Sequence, residues 1–191
     1  MKNLSLPAFV AAILITPSVA LSDTYTLDPS HSQIVFSYNH FGFSTSYGMF
    51  SGFAGEIDFD ATNPAASSVK VSMPEASMYT GWEARLAHFM SGDFFGANDQ
   101  DLITFQSTSI ELTGEKTALI SGDLTMNGVT KPITLDTVMN KAGAHPLAGT
   151  PFIGFDASTS VLRSDFGLGA YAPAVGDEVQ IMISIEAGLS E

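Results

Sequence analysis

Bulky aromatic side chains are concentrated in one short segment, residues 36–47, with the sequence FSYNHFGFSTSY. Side chains alternate between the two faces of a β-strand, so a strand that covers a thin core needs apolar residues at only every second position. Here the rings occupy both odd and even positions, and Gly42 and Gly48 interrupt the segment. Phe50 and Phe53 follow closely. This density favours a sheet curled around a wide apolar interior, which is typical of a protein that holds a ligand.

The N-terminus has the layout of a secretory signal peptide. Lys2 precedes an apolar run over residues 4–15, and small residues stand at Ser18, Ala20 and Ser22. The run is shorter than the about 20 residues of a membrane-spanning helix, so a retained anchor is the less favoured interpretation. We predict a signal peptide over residues 1–22, cleaved after residue 20 or 22, and a periplasmic protein with no membrane insertion.

The composition limits the classes of partner and of chemistry. The chain has no cysteine, so disulfides and thiol catalysis are excluded. Its formal net charge is −13, and removal of Lys2 makes the balance more negative. A strongly acidic surface repels nucleic acid and anionic lipid headgroups at long range, so we expect no nucleic-acid partner. Residues 23–191 have the length of a single domain.

The mature chain reads as a succession of long strands. Alternating segments with β-branched or aromatic content occupy about residues 31–39, 48–60, 67–79, 102–112, 117–127, 129–141, 152–163 and 177–187. Asn127-Gly128 between two of them predicts a two-residue type I′ hairpin turn. Eight long antiparallel strands can close into a barrel that leaves no free edge.

One segment, about residues 80–96, has a helical pattern instead. Its apolar residues recur at helical spacing, at Trp82, Leu86, Phe89 and Met90. Thr80 with Glu83 reads as a capping box, and Gly92 as a stop. An amphipathic insert of this kind can close one end of a barrel. Capping of the core and contact with a ligand are equally compatible with it.

Several motifs in order resemble the YceI-like family of periplasmic lipid-binding proteins. They are YTLDPSHSQIVFSYNHFGFS, GMFSGFAGEIDFD, GWEARLAHFMSGDFF, LITFQSTSIEL, SGDLTMNGVTKPITL, GFDASTSVLRSDFGLG and VGDEVQIMISIEA. The segment NDQDLITF departs from the family, which often has a Tyr-Pro pair before this strand. The resemblance implies an all-β fold, an extended eight-stranded antiparallel lipocalin-like barrel with the short helical insert. It also implies a long apolar ligand, such as a polyisoprenoid, and no enzymatic activity or cofactor.

The candidate ligand-binding residues are mostly aromatic. In a barrel of eight strands, side chains alone can fill the interior, so for any single ring packing and ligand contact are equally compatible. As a group these residues are the best candidates for the pocket wall: Phe36, Tyr38, His40, Phe43, Phe50, Phe53, Phe89, Phe94, Phe105, Phe155, Arg163 and Phe166.

The polar candidates point away from catalysis and from metal binding. His31, His40 and His88 have no metal-ligand spacing, and no GxSxG elbow is present. For His40 a structural role and a donor to a ligand headgroup both stay open. Arg163 is expected to pair with Asp165, with a place at the pocket mouth as the alternative. A pyrophosphate head would need several converging cations, so we favour a neutral head such as that of an isoprenoid quinone or a fatty amide.

The predicted function is therefore an exported protein that holds a long apolar lipid as carrier, reservoir or scavenger, with transient exchange with a membrane. A lipid-modifying enzyme of the cyclase or isomerase type is one alternative, and a ligand-free envelope stress protein is another. A homodimer is compatible with the family resemblance.

Overall fold

The computed structural model describes residues 22–96 and 101–191, and these residues form a closed antiparallel β-barrel. The predicted signal peptide lies outside the described residues except for Ser22. The strands are β1 Asp23–Leu27, β2 Gln33–His40, β3 Ser44–Phe50, β4 Ala54–Phe59, β5 Ser68–Pro74, β6 Leu102–Leu112, β7 Thr117–Met126, β8 Val129–Ala144, β9 Pro151–Leu162 and β10 Val175–Leu189.

Each strand from β4 to β9 pairs with the next in the chain, and β1 closes the barrel by pairing with both β4 and β10. β10 is long enough to pair along the same edge with β1 and with β2. β1 and β2 therefore act as one interrupted strand, and β3 and β4 as another. The predicted eight-stranded antiparallel barrel is confirmed. It contains ten strand segments because two of its eight strands are each interrupted once.

The local turn signal in the middle of the chain is confirmed. Asn127 and Gly128 have φ values of 50° and 70°, as a type I′ turn requires, and Met126 pairs with Val129 across it. The predicted segments 102–112, 117–127 and 129–141 correspond to β6, β7 and β8. β1 was not predicted as a separate strand. Its five residues are too few for their alternation to stand out.

The helical insert is shorter than predicted. The only α-helix in the described ranges, α1, spans Glu83–Phe89, and residues 91–95 form turns. The capping-box prediction was wrong, because the N-cap is Trp82, whose side chain makes no capping hydrogen bond. The Thr80 hydroxyl instead donates to the Trp82 carbonyl at 2.9 Å. Within the described residues, no helix is long and apolar enough to cross a membrane.

Candidate functional site

The barrel interior is hollow and apolar. A cavity of about 550 Å³ lies at the end of the barrel that carries α1, and a second of about 190 Å³ lies deeper, toward the β6–β7 loop. Side chains on β2, β5, β7 and β10 line both spaces and therefore mark their junction: Ile34, Met73, Leu124 and Ile181. The two cavities therefore adjoin, one toward each end of the barrel.

Aliphatic side chains form most of the wall of the deeper cavity, and they lie outside the predicted ligand-binding set. They occupy alternate positions of their strands, including Val69, Val71, Ile133, Leu135, Ile181, Ile183 and Ile185. Their signal was present as period-two alternation. Every strand of the barrel has this alternation, so it does not by itself distinguish cavity-wall residues from other core residues.

Most of the predicted aromatic set lines this space. The larger cavity is bounded by Phe36, Tyr38, His40, Phe50, Phe89, Phe94 and Arg163. The deeper cavity is bounded by Phe53, Phe105 and Phe155. The structure thus brings these residues together around two adjoining apolar cavities, and their contact with a ligand stays a prediction.

Two predicted wall residues lie elsewhere. Phe43 belongs to the turn between β2 and β3 and is 93% exposed, because the positive φ of Phe41 and Gly42 breaks the strand alternation. Phe166 is 1% exposed and packs in the core, where its carbonyl accepts a hydrogen bond from Asn127 Nδ2 at 2.8 Å. Neither residue lines either cavity.

Helix α1 covers part of the open end of the barrel. The Phe89 ring lies 6.2 Å from the Tyr38 ring on β2 and 5.3 Å from the Phe94 ring that follows the helix. Leu86, Phe89 and Met90 pack against the core. Ala84, Arg85, His88 and Phe89 line the larger cavity, whereas Leu86 and Met90 pack against the core without lining it. Both interpretations of the insert, capping of the core and contact with a ligand, therefore stay open.

We define the cavity mouth as the opening between the β2–β3 turn, α1 and the β9–β10 loop. His40, Arg85 and His88 are its polar lining residues, together with Arg163. Among the described residues, no Asp or Glu lines this larger space. The acidic surface of the chain therefore does not extend into the cavity.

The predicted pair between Arg163 and Asp165 was wrong. The buried Arg163 guanidinium donates from Nε to the Gly176 carbonyl, from Nη1 to Ala170 and from Nη2 to Val175, each at 2.8 Å, and Nη1 also donates to Leu168. Burial lowers the pKa of Arg163, and the charge of nearby Asp177 opposes that shift. A planar guanidinium with five donors can bind several converging carbonyls. Arg163 therefore holds the β9–β10 loop in place at the cavity mouth.

The Asp28-Pro29-Ser30-His31 motif lies outside the barrel interior and forms a local hydrogen-bond cluster. His31 Nδ1 lies 2.7 Å from an Asp28 carboxylate oxygen and 3.1 Å from the Ser30 hydroxyl. These bonds, with those from Ser30, hold the pKa of Asp28 at about 2 and raise that of His31. A Ser-His-Asp triad needs the serine and the carboxylate on different ring nitrogens. The cluster therefore has the geometry of a turn and not of a triad.

The described residues contain no group of three His, Asp or Glu side chains that could hold a metal ion.

Two features of the cavity lining bear on the chemistry of the site. Its rings and aliphatic groups are in mutual contact, as for Phe36 and Phe50 with centroids 5.5 Å apart. Its polar lining groups are those at the mouth, Glu115 and Lys116 at the far end, and hydroxyls along the wall, among them that of Thr159, which pairs with Ile181.

Comparison with known proteins places the chain in a family. The model of the YceI-like domain matches residues 25–187. The UPF0312 protein of Ectopseudomonas mendocina is 36% identical over 188 residues, which cover 97% of this chain and 97% of that protein.

Solved structures share the barrel. BcnA of Burkholderia cenocepacia superposes with a TM-score of 0.75 at 24% identity, covering 84% of this chain and 99% of that one. A polyisoprenoid binding domain from Saccharophagus degradans, implicated in plant cell wall breakdown, gives a TM-score of 0.67 at 15% identity, covering 89% and 99%. Likeness at these identities establishes the fold alone. The family match spans well over half of the chain, and the chain therefore belongs to the YceI-like family.

Proposed function

We propose that this protein binds a long-chain apolar lipid inside its barrel and serves as an exported carrier, reservoir or scavenger of that lipid. The observation that carries the proposal is the pair of adjoining apolar cavities of about 550 and 190 Å³ in the barrel interior. Ligand sites commonly measure about 300–1,000 Å³ and have mostly apolar walls with few polar groups. Two adjoining cavities, one toward each end of the barrel, fit a chain better than a compact molecule.

The hydrophobic effect supplies the driving force for binding. A hydrocarbon tail has no favourable surroundings in water, and the wall of rings and aliphatic groups removes it from water. The Saccharophagus degradans domain, which shares this fold, is a polyisoprenoid binding domain. We extend that ligand class to this chain as part of the proposal.

We propose a ligand with a neutral head, such as an isoprenoid quinone or a fatty amide. Arg163 lines the cavity, but four of its N–H donors bind backbone carbonyls. Arg85 also lines the larger cavity, and its Nη1 donates a hydrogen bond to the Thr80 carbonyl at 3.4 Å. A diphosphate group normally requires several converging cations or a nest of amides.

The leader pattern in the sequence supports a periplasmic location, and we propose transient exchange of the ligand with a membrane. We expect no cofactor and no catalysis. The geometry of Ser30 and His31 lends no support to hydrolysis, and the enzyme alternative has no feature of the cavity in its favour.

The test is native mass spectrometry and organic extraction of the protein purified from its own host. We expect one long-chain lipid per chain. Phe36→Asp places a charge in the cavity wall and should abolish retention, whereas Leu147→Asp introduces the same charge on a 92% exposed side chain away from both cavities and should retain the lipid.

Circular dichroism shows whether the variants fold. If Phe36→Asp does not fold, Phe89→Asp on the half-buried face of α1 is a second cavity variant. A wild-type protein without lipid, or folded cavity variants with full lipid content, contradicts the proposal. A bound polyprenyl diphosphate contradicts the neutral head alone.

A further inference from the structure

Four exposed aromatic side chains lie around the cavity mouth. Phe41 is 50% exposed, Phe43 93%, Trp82 64% and Tyr171 56%. We call these four residues the aromatic rim. Single exposed apolar residues are normal on a protein surface, but a group of large ones at one place marks an interaction site.

The rim belongs to a single opening although its members come from three separate segments. Phe41, Trp82 and Tyr171 all line the larger cavity, and Phe43 follows Phe41 in the same turn. The Phe41 amide donates to the Ala174 carbonyl at 3.1 Å, which ties the β2–β3 turn to the β9–β10 loop. The Tyr171 ring lies 6.1 Å from the His88 ring on α1. The rings therefore surround the route by which a ligand enters or leaves.

Backbone strain is concentrated at two of these residues. Among the described residues, the non-glycine positions with positive φ are Phe41 at 53°, Asn127 at 50° and Tyr171 at 63°. Asn127 is explained by its type I′ turn, which requires this conformation. A bulky aromatic residue seldom adopts it, and such outliers cluster at functional sites. The fold thus accepts strain at two of the four residues of the aromatic rim.

We propose that the aromatic rim is the surface by which this protein docks on a phospholipid bilayer to load and release its ligand, an inference that rests on the proposed function. Aromatic side chains favour the membrane–water interface, where an apolar ring and a polar edge are both satisfied. A long lipid has two favourable media, the cavity and a bilayer. Contact between the mouth and the bilayer lets it pass between them without crossing water.

The charge of the chain determines which surface fits. At a net charge of −13, an anionic surface is repelled, and so is a second copy of the same chain. The rim therefore favours a zwitterionic phospholipid surface through ring insertion. Binding of the protein to phosphatidylcholine vesicles should depend little on the salt concentration. It should be weaker on vesicles rich in anionic lipid, and salt should restore it there because screening removes the repulsion.

The test is flotation of the whole protein with phosphatidylcholine vesicles. Phe43→Ser should weaken association about fivefold or more, since one ring no longer leaves water on docking. Phe43→Trp should keep it. The matched control is Leu147→Ser in the β8–β9 loop, at the opposite end of β9, where the side chain is 92% exposed and the association should stay unchanged.

Equal loss in Phe43→Ser and Leu147→Ser, or no loss in Phe43→Ser, overturns the docking surface. A change in self-association of Phe43→Ser by analytical ultracentrifugation, with vesicle binding intact, overturns it in favour of a second copy. Flotation needs no bound ligand, whereas organic extraction tests the ligand itself. Failure of the rim and failure of the proposed lipid binding are therefore distinguished.

Discussion

Two glycines let aromatic rings lie against the barrel wall. Phe36 on β2 pairs with Gly48 on β3, and a Cβ added at Gly48 would overlap the Phe36 ring. A Cβ at Gly122 on β7 would overlap the Phe105 ring of the neighbouring strand in the same way. Each ring occupies the space above a missing side chain, so it covers backbone and leaves the barrel axis open. Cross-strand pairs of glycine and an aromatic residue are a known stabilising device of curved sheets.

We predict that Gly48→Ala displaces the Phe36 ring into the larger cavity. Overpacking of this kind costs about 1–3 kcal/mol of stability, and the displaced ring should reduce the amount of lipid that co-purifies. Urea denaturation and organic extraction measure the two effects. Gly92→Ala is the control, because an added Cβ meets no atom within 4 Å there. Equal lipid content in wild type and Gly48→Ala would place the ring outside the ligand path.

At the scale of elements, a buried carboxylate connects three turns near the mouth end of the barrel. Glu75 is 2% exposed, in the 3-10 turn Glu75–Ser77 after β5. Its Oε1 accepts a hydrogen bond from the backbone N–H of Asn127 at 2.7 Å. The side-chain Nδ2 of Asn127 donates to the backbone carbonyl of Phe166, in the 3-10 turn Arg163–Phe166. Burial raises the pKa of Glu75, and the charge of Asp101 adds to the shift.

This raised pKa predicts a defined pH dependence. The unfolded chain releases the Glu75 proton near pH 4.5, before the folded protein does. The contribution of Glu75 to the free energy of unfolding is therefore most favourable below pH 4.5. It falls as the pH rises from 4.5 through the raised pKa of the folded state. Glu75→Gln keeps an acceptor for the Asn127 amide without a buried charge, so this part of the decline should vanish. Thermal unfolding between pH 4.5 and 7 measures it.

The control for this prediction is Glu83→Gln, at an exposed position in the first turn of α1, which should keep the wild-type decline. The comparison is between variants at the same pH, because His31, whose pKa is raised by Asp28, titrates in all of them. A Glu75→Gln protein with an unchanged decline would show that the buried carboxylate is not its source.

A β-bulge in β6 decides which of its residues reach the interior. Ile103 and Phe105 line the cavities before the irregularity between Ser107 and Ser109, and Ile110 and Leu112 line them after it. Without an extra residue, odd and even positions would face opposite sides of the sheet. The bounds of β6 could be predicted from its alternation. The change of face could not, because it depends on pairing with β7.

At the scale of the whole molecule, the junction between the two cavities should determine how long a ligand can be. Leu124 is 8% exposed, lies on β7 and lines both spaces. We predict that Leu124→Trp fills the junction, so that the protein retains lipids with shorter chains. Native mass spectrometry reads this directly as a lower mass of the bound lipid.

The matched control is Leu119→Trp, on the same strand at a position that lines neither cavity and is 36% exposed. It should carry the same lipid as the wild type. An unchanged lipid in Leu124→Trp would mean that the ligand occupies the larger cavity alone, and would contradict a ligand that spans both.

The barrel class, most strand positions, the Asn127-Gly128 turn and the family could be read from the chain before any coordinates, because period-two alternation and turn chemistry are local properties. The facing of individual residues could not be read in this way. Phe41 and Phe43 stand in a turn that breaks the alternation, Phe166 packs in the core, and Arg163 binds carbonyls from a distant part of its own loop. Local periodicity sets which segments become strands, whereas closure of the barrel, its bulges and its loop contacts set which side chains enclose the empty space, since those depend on residues far apart in the chain.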